Sequence, residues 1–196
     1  MAAVSKNIES DLIKAIEASI ETKQTVIKQE VPIITQIIDT VINSLKSGHK
    51  LIVFGNGGSA ADSQHIAAEL ANKFLRERQA LPAIALTTDT SILTSIGNDY
   101  SFDNVFSRQI EALGHKGDVA LAISTSGNSP NVLKAVDIAK QMGLKTVGFA
   151  GKDGGKLKER VDICFCAPSA STPRIQETHI TVAHAICDIV EKELCG

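Results

Sequence analysis

Ser124-Thr125-Ser126-Gly127-Asn128-Ser129-Pro130 places four hydroxyls and a glycine directly after an apolar run and directly before a helical pattern. Free backbone N–H groups and the positive end of a helix dipole favour an anion at such a position. A phosphate group is the natural occupant, held without a Walker lysine because GxxxxGK[ST] is absent. Helix capping by Ser129, with Pro130 at the first helical position, accounts for one or two of these residues and leaves the others unexplained.

His65 and Glu69 stand four apart in SQHIAAEL, so one helical face presents both, and they can converge on a metal or a reacting carbon. The spacing also suits a solvated helical pair contributing a few tenths of a kcal/mol. Near the C-terminus, RIQETHITVAHAICDIVE carries Gln176, Glu177, His179 and His184 among apolar neighbours. The two histidines lie about 140° apart around a helix and do not easily serve one centre. His184, between Ala183 and Ala185, is expected to be the more deeply embedded and the better functional candidate. Gln176 and His184 lie about 80° apart, which permits convergence.

Gly55-Asn56-Gly57-Gly58-Ser59-Ala60 matches GxGxxA between a strand and a helix, the form of a dinucleotide-binding turn. The ribose-binding acid of such sites falls about 20 residues on. Here Asp89 lies more than 30 residues past Gly57, and the following helix carries Ser63, His65 and Glu69, so a nicotinamide site is not expected. Asn98 and Asp99, in SIGNDYSF, are read as a loop able to hydrogen-bond sugar hydroxyls or to make an ordinary Asn-Asp turn. His49 and His115, beside glycines, read as surface histidines.

The elements that must position these groups alternate. LIVFGN (51–56), AIALT (83–87), VALAIS (119–124), TVGFA (146–150) and DICFC (162–166) read as strands. Helices are expected at roughly 58–75, 101–113, 129–142 and 173–195. This alternation implies a three-layer α/β sandwich, a five-stranded parallel sheet between helices. Ligands of such sheets sit beyond the carboxyl ends of the strands, where these polar loops fall. Two amphipathic helices precede the first strand, one with the stripe Ile8, Leu12, Ile16 and Ile20, the other with Ile34, Ile37, Val41, Ile42 and Leu45. Pro32 suits the start of the second and Ser47-Gly48 its stop.

With 196 residues, 43% of them hydrophobic, the chain has the length of one domain. A formal charge of −2 argues against phosphate backbones or anionic membranes as the main partner. Six Phe, one Tyr and no Trp leave little material for stacking single-stranded nucleic acid. No run of 18 apolar residues occurs, and MAAVSKNIESDL lacks the basic start and apolar core of a signal peptide, so a cytoplasmic protein is expected. Cys164, Cys166, Cys187 and Cys195 include no CxxC pair and fit neither a disulfide framework nor a zinc ribbon. Cys164 and Cys166 are expected to share one face of a strand.

Taken together, FGNGGSAADSQHIAAEL, ALTTDTSILTSIGND, AISTSGNSPNV and TPRIQETHITVAH resemble the phosphoheptose isomerases of the sugar isomerase (SIS) domain superfamily, over nearly the whole chain. The resemblance implies the SIS fold, with residues 1–36 as an N-terminal helical extension used in assembling a homotetramer and 37–196 as the SIS domain. It implies interconversion of sedoheptulose 7-phosphate and D-glycero-D-manno-heptose 7-phosphate through an enediol, supplying heptose for lipopolysaccharide core or related glycans. Glu69 matches the base and His184 the group that moves protons among the oxygens. Ser124, Thr125, Ser126 and Ser129 match the phosphate site, and Asn56, Gly57, Gly58, Ser59, Asn98, Asp99 and Gln176 the sugar site. His65, Glu69, Gln176 and His184 match positions that bind one zinc per subunit in some members. Pro130 and Pro173 depart from residues found in some relatives. A non-catalytic paralogue that binds the bacterial replication initiator shares the glycine and serine loops but lacks the pair matching Glu69 and His184. Other SIS proteins rarely combine His65, Glu69 and the RIQETH segment in one such chain.

Overall fold

The computed structural model describes residues 2–195, with side chains from Asn7 onward. Two helices, α1 (Ala2–Gln29) and α2 (Val31–Lys46), lead into β1 (Leu51–Gly55), α3 (Gly58–Ala71), β2 (Ala83–Ala85) and α4 (Thr90–Asp99). A single 3₁₀ turn at Phe102–Asn104 precedes α5 (Ser107–Leu113), β3 (Val119–Ser124) and α6 (Pro130–Gln141). β4 (Lys145–Gly151), α7 (Gly155–Arg160), β5 (Ile163–Ala167) and α8 (Thr172–Cys195) complete the chain.

All five strands are parallel, in the order β2-β1-β3-β4-β5. Each central strand buries both of its faces, which is why it reads as an unbroken apolar run. Leu51 and Val53 of β1, with Leu121, Ile123 and Phe149, pack under α2, α3 and α8. Ile52 and Phe54, with Ala120 and Ala122, pack under α5 and α6 on the opposite face. Alternation along the pleat sends neighbouring residues to these two cores. Cys164 and Cys166 share one face of β5, with their sulfurs 3.8 Å apart.

The start of α2 carries Pro32 in its first turn, and the helix stops at Ser47, with Gly48 left-handed at φ +80°. The stripe of α1 turns away from the protomer: Ile8, Leu12, Ile16 and Ile20 are all at least half exposed. Beside it, Val26, Ile34, Ile38, Val182 and Ile189 line an apolar groove of about 440 Å³ between the first two helices and α8. Among the described residues, no helix is long and apolar enough to cross a membrane.

Two local expectations are corrected. Residues 87–99 contain the helix α4, started by Asp89, whose carboxylate accepts from the Ile92 N–H at 2.9 Å. Its sequence, TSILTSIGND, is rich in weak helix formers, so propensity does not announce it, although Leu93 and Ile96 pack against the core. The expected helix over 101–113 is a 3₁₀ turn followed by a shorter helix. The short helix α7 is an addition to the helices expected from the sequence.

Candidate functional site

The order 2-1-3-4-5 reverses direction between β1 and β3, and in such sheets the ligand crevice lies at that switch. The loops leaving β1 and β3 are the glycine loop and the hydroxyl loop. They are stitched together by a reciprocal amide pair: Asn56 Nδ2 donates to Asn131 Oδ1 and Asn131 Nδ2 to Asn56 Oδ1, both at 2.9 Å. Asn131 is buried and its Oδ1 also accepts from the Val132 N–H. Its role was not visible in the sequence, because its partner lies 75 positions away.

In the hydroxyl loop the buried Ser124 faces Ser129, their oxygens 3.0 Å apart. Ser129 stands at the N-cap of α6 without making a side-chain capping bond, so its hydroxyl meets Ser124 rather than serving the helix. Gly127, at φ +65°, lets the chain turn back, with its N–H on the Ser124 carbonyl, and a side chain there would collide with the Gly154 carbonyl. Asn128 braces the turn through Ser126 and the Lys156 N–H, while the Thr125 carbonyl accepts from Gly151. The turn is thus fixed before any anion arrives; in the first turn of α6 Pro130 has no N–H, Val132 donates to Asn131 Oδ1 and Leu133 to the Ser129 carbonyl, which leaves the Asn131 N–H and the positive end of the helix dipole toward the loop.

The glycine loop opens α3. Gly57 is left-handed, and a Cβ on Gly58 would stand 2.4 Å from Gln176 Nε2. α3 and α8 therefore run side by side in one direction, with Gln176 over the start of α3 and His184 beside its last turns. Ser59 is buried at that start. His65 Nε2 lies 2.8 Å from Glu69 Oε1 and 3.4 Å from His184 Nε2, the two rings meeting edge to face. The Phe74 ring lies against His184, centroids 5.5 Å apart.

His65, Glu69 and His184 bring their donor atoms within 4.8 Å of one another. Two imidazole nitrogens 3.4 Å apart are spaced as a long hydrogen bond allows, and also as a tetrahedral zinc with bonds of about 2.0–2.1 Å would set them, about 3.3 Å apart. The donor set of two imidazoles and a carboxylate fits zinc. Gln176, the fourth expected ligand, sits over Gly58, about 12 Å along the helix axis from His184.

Asp62 belongs to the same face and was missed, although 62, 65 and 69 follow the helical i, i+3, i+7 pattern. Its Oδ2 is buried without a hydrogen-bond partner, and burial raises its pKa against the opposing pull of His65. Asn98 and Asp99 are exposed at the end of α4, the Asn98 amide donating to Asp99 Oδ1 at 2.8 Å. Among the described residues, neither makes a side-chain hydrogen bond to the two loops of the crevice.

The depth expected of the two histidines is reversed. His179 is the core histidine, 1% exposed, its Nε2 on the Ala150 carbonyl at 2.8 Å. Burial depresses its pKa to about 4. His184 is only partly buried and faces the site. At the far end of the sheet, His49 and His115 flank buried Asp118, which Lys50 neutralises. The glycine loop has no dinucleotide context: β2 ends at Ala85, and Asp89 caps α4.

A family model described as the SIS domain matches residues 15–151. The phosphoheptose isomerase of Clostridium acetobutylicum is 56% identical, the match covering 92% of this chain and 93% of that protein. That of Roseiflexus sp. is 55% identical over 93% of both. The solved structure of the phosphoheptose isomerase from Neisseria gonorrhoeae superposes with a TM-score of 0.90 at 42% identity, covering 94% of this chain and 99% of that one.

Proposed function

The chain belongs to the phosphoheptose isomerase family of SIS-domain proteins, and from that premise we propose how its residues carry the reaction. The substrate is sedoheptulose 7-phosphate and the product D-glycero-D-manno-heptose 7-phosphate, a precursor for envelope heptose. Proton transfer between C1 and C2 needs a carboxylate above the carbon that loses its proton and a second group that moves protons between the two oxygens. Glu69 is the base: Oε1 faces His65, which leaves Oε2 to take the carbon-bound proton. His184 exchanges protons with the oxygens, and Phe74 and His65 hold its ring.

The phosphate binds at Ser124, Thr125, Ser126 and Ser129, against the N-terminus of α6. Asn56, Gly57, Gly58, Ser59 and Gln176 line the sugar. Asn98 and Asp99 contact it only if α4 is brought to the crevice. His65, Glu69 and His184 would hold a zinc ion, with Gln176, over the start of α3, as the fourth ligand that the family resemblance implies. When bound there, zinc supplies Lewis-acid polarisation of a carbonyl oxygen. The observation that carries this reading is the convergence of His65, Glu69 and His184 on helices that leave the same edge of the sheet as the braced hydroxyl turn.

Residues 1–36 serve assembly in a cytoplasmic homotetramer, supported by the apolar stripe of α1 and the groove beside it. Purified protein incubated with sedoheptulose 7-phosphate, with and without chelator, tests the activity. Aldose product is expected, and its absence in every metal condition overturns the proposal.

A further inference from the structure

Glu191, near the end of α8, is 0% exposed and Arg78, in the segment between α3 and β2, is 2% exposed at its side chain. The Glu191 carboxylate accepts from the Phe74, Leu75 and Arg76 N–H groups at 3.0, 2.8 and 3.0 Å and from Arg78 Nε at 2.8 Å. The guanidinium spends its remaining N–H groups on carbonyls: Nη2 on Glu69 at 2.8 Å, Nη1 on Leu70, Asn72 and Gln79. Burial alone would raise the Glu191 carboxyl. The Leu75 and Phe74 N–H groups and Arg78 more than offset it and hold the pKa below the ordinary carboxylate value.

Two of these bonds reach the reacting pair, one at Glu69 and one at Phe74. The Glu69 carbonyl, in the last turn of α3, is one of the orphan acceptors of a helix C-terminus, and a cation is favoured there. Arg78 fixes that turn through the backbone of the very residue that carries the base. Glu191 fixes the backbone N–H of Phe74, whose ring lies on His184. Cys187, on α8, senses the same environment: burial first, then the negative charge of Glu69, push its thiol up to about 12. A loop that needed only tethering could use apolar packing, which is as stable as a buried ion pair. A fork-shaped donor meeting four carbonyls delivers geometry instead.

We propose that Arg78 and Glu191 are positioning residues that set the Glu69 carboxylate and the His184 ring through the end of α3 and through Phe74. The inference rests on the assignment of Glu69 and His184 above. Substitutions in the shell around metal ligands typically cost roughly ten- to hundredfold in affinity or activity.

The test uses the full chain carrying Glu191→Gln, Arg78→Lys or Phe74→Leu, with kcat and KM for sedoheptulose 7-phosphate measured beside zinc affinity by chelator competition on metal-stripped protein. The Phe74 variant leaves the buried pair intact, so it carries the test if either of the others does not fold. The expected result is a kcat at least about tenfold lower with KM within about twofold, zinc binding weakened by a similar factor, and Arg78→Lys milder than Glu191→Gln. Folded variants with wild-type kcat and zinc affinity, in an enzyme that Glu69→Gln inactivates, overturn the inference and leave the assignment standing. A wild-type protein without turnover, or a fully active Glu69→Gln variant, overturns the assignment itself.

Discussion

Replacing His179 by Gln removes a titrating group from the core while keeping an amide N–H in reach of the Ala150 carbonyl, which His179 Nε2 meets at 2.8 Å. In the folded chain burial holds the imidazole at a pKa of about 4, against an ordinary value of 6.5. Between these values the unfolded chain binds a proton that the folded chain refuses, so stability rises with pH across the window and falls as the solution is acidified. At about 1.4 kcal/mol per unit, the wild type loses about 3 kcal/mol per chain from this residue between pH 7 and pH 4. Above pH 6.5 the contribution is complete, and below the folded value the loss levels off. Urea melts followed by circular dichroism at pH 7, 6, 5 and 4, at one protein concentration, read the effect. Other carboxylates, Asp118 and Asp162 among them, titrate equally in both proteins and cancel in the comparison. The glutamine variant should show a smaller loss by about 3 kcal/mol. Parallel stability curves for the two proteins would refute the reasoning and put a protonated imidazole inside the core.

Ser124→Ala with Ser129→Ala should raise KM for the sugar phosphate by at least about tenfold, from two lost charge-assisted hydrogen bonds of about 1 kcal/mol or more each. An unchanged KM in steady-state assays would count against the phosphate cradle. Asn131→Ala removes two bonds to the half-buried Asn56 amide and one to the Val132 N–H, and about 1–3 kcal/mol of stability should go with them, with a higher KM as the glycine loop loosens. Denaturant melts and steady-state kinetics check the two effects. Leu12→Glu with Ile16→Glu puts charges on the outward stripe of α1, and sedimentation should show smaller assemblies than the wild type forms, whereas an unaltered sedimentation coefficient would remove that stripe from any interface.

How much of this was legible in the sequence follows from how local each cause is. The hydroxyl loop could be read because an apolar strand, a run of hydroxyls and a helix-starting proline lie within a dozen residues. The sheet could be read because strands buried on both faces leave apolar runs that helices do not. His65 and Glu69 were visible as an i, i+4 pair, yet their partner His184 lies 119 positions from His65, so only the fold joins them. The ranking of the two α8 histidines by depth failed because small neighbours say nothing of what covers a helical face. His179 points to β4 and His184 to α3. Helix α4 escaped because its weak helix formers and glycine read as a loop, although Asp89 caps it and Leu93 and Ile96 pack against the core. The bonds of Glu191 span 113 to 117 positions, and no local pattern carries a signal for them.

The central claim is that Glu69 removes the proton from carbon in a phosphoheptose isomerase site. Its most direct test follows sedoheptulose 7-phosphate turnover in deuterated water by the wild type and by Glu69→Gln, with exchange of the carbon-bound hydrogen read by NMR. The account predicts aldose formation with deuterium entering at the reacting carbon for the wild type, and loss of both isomerisation and exchange, by at least about a thousandfold, when the base is removed. A Glu69→Gln variant that exchanges and isomerises at the wild-type rate would contradict it.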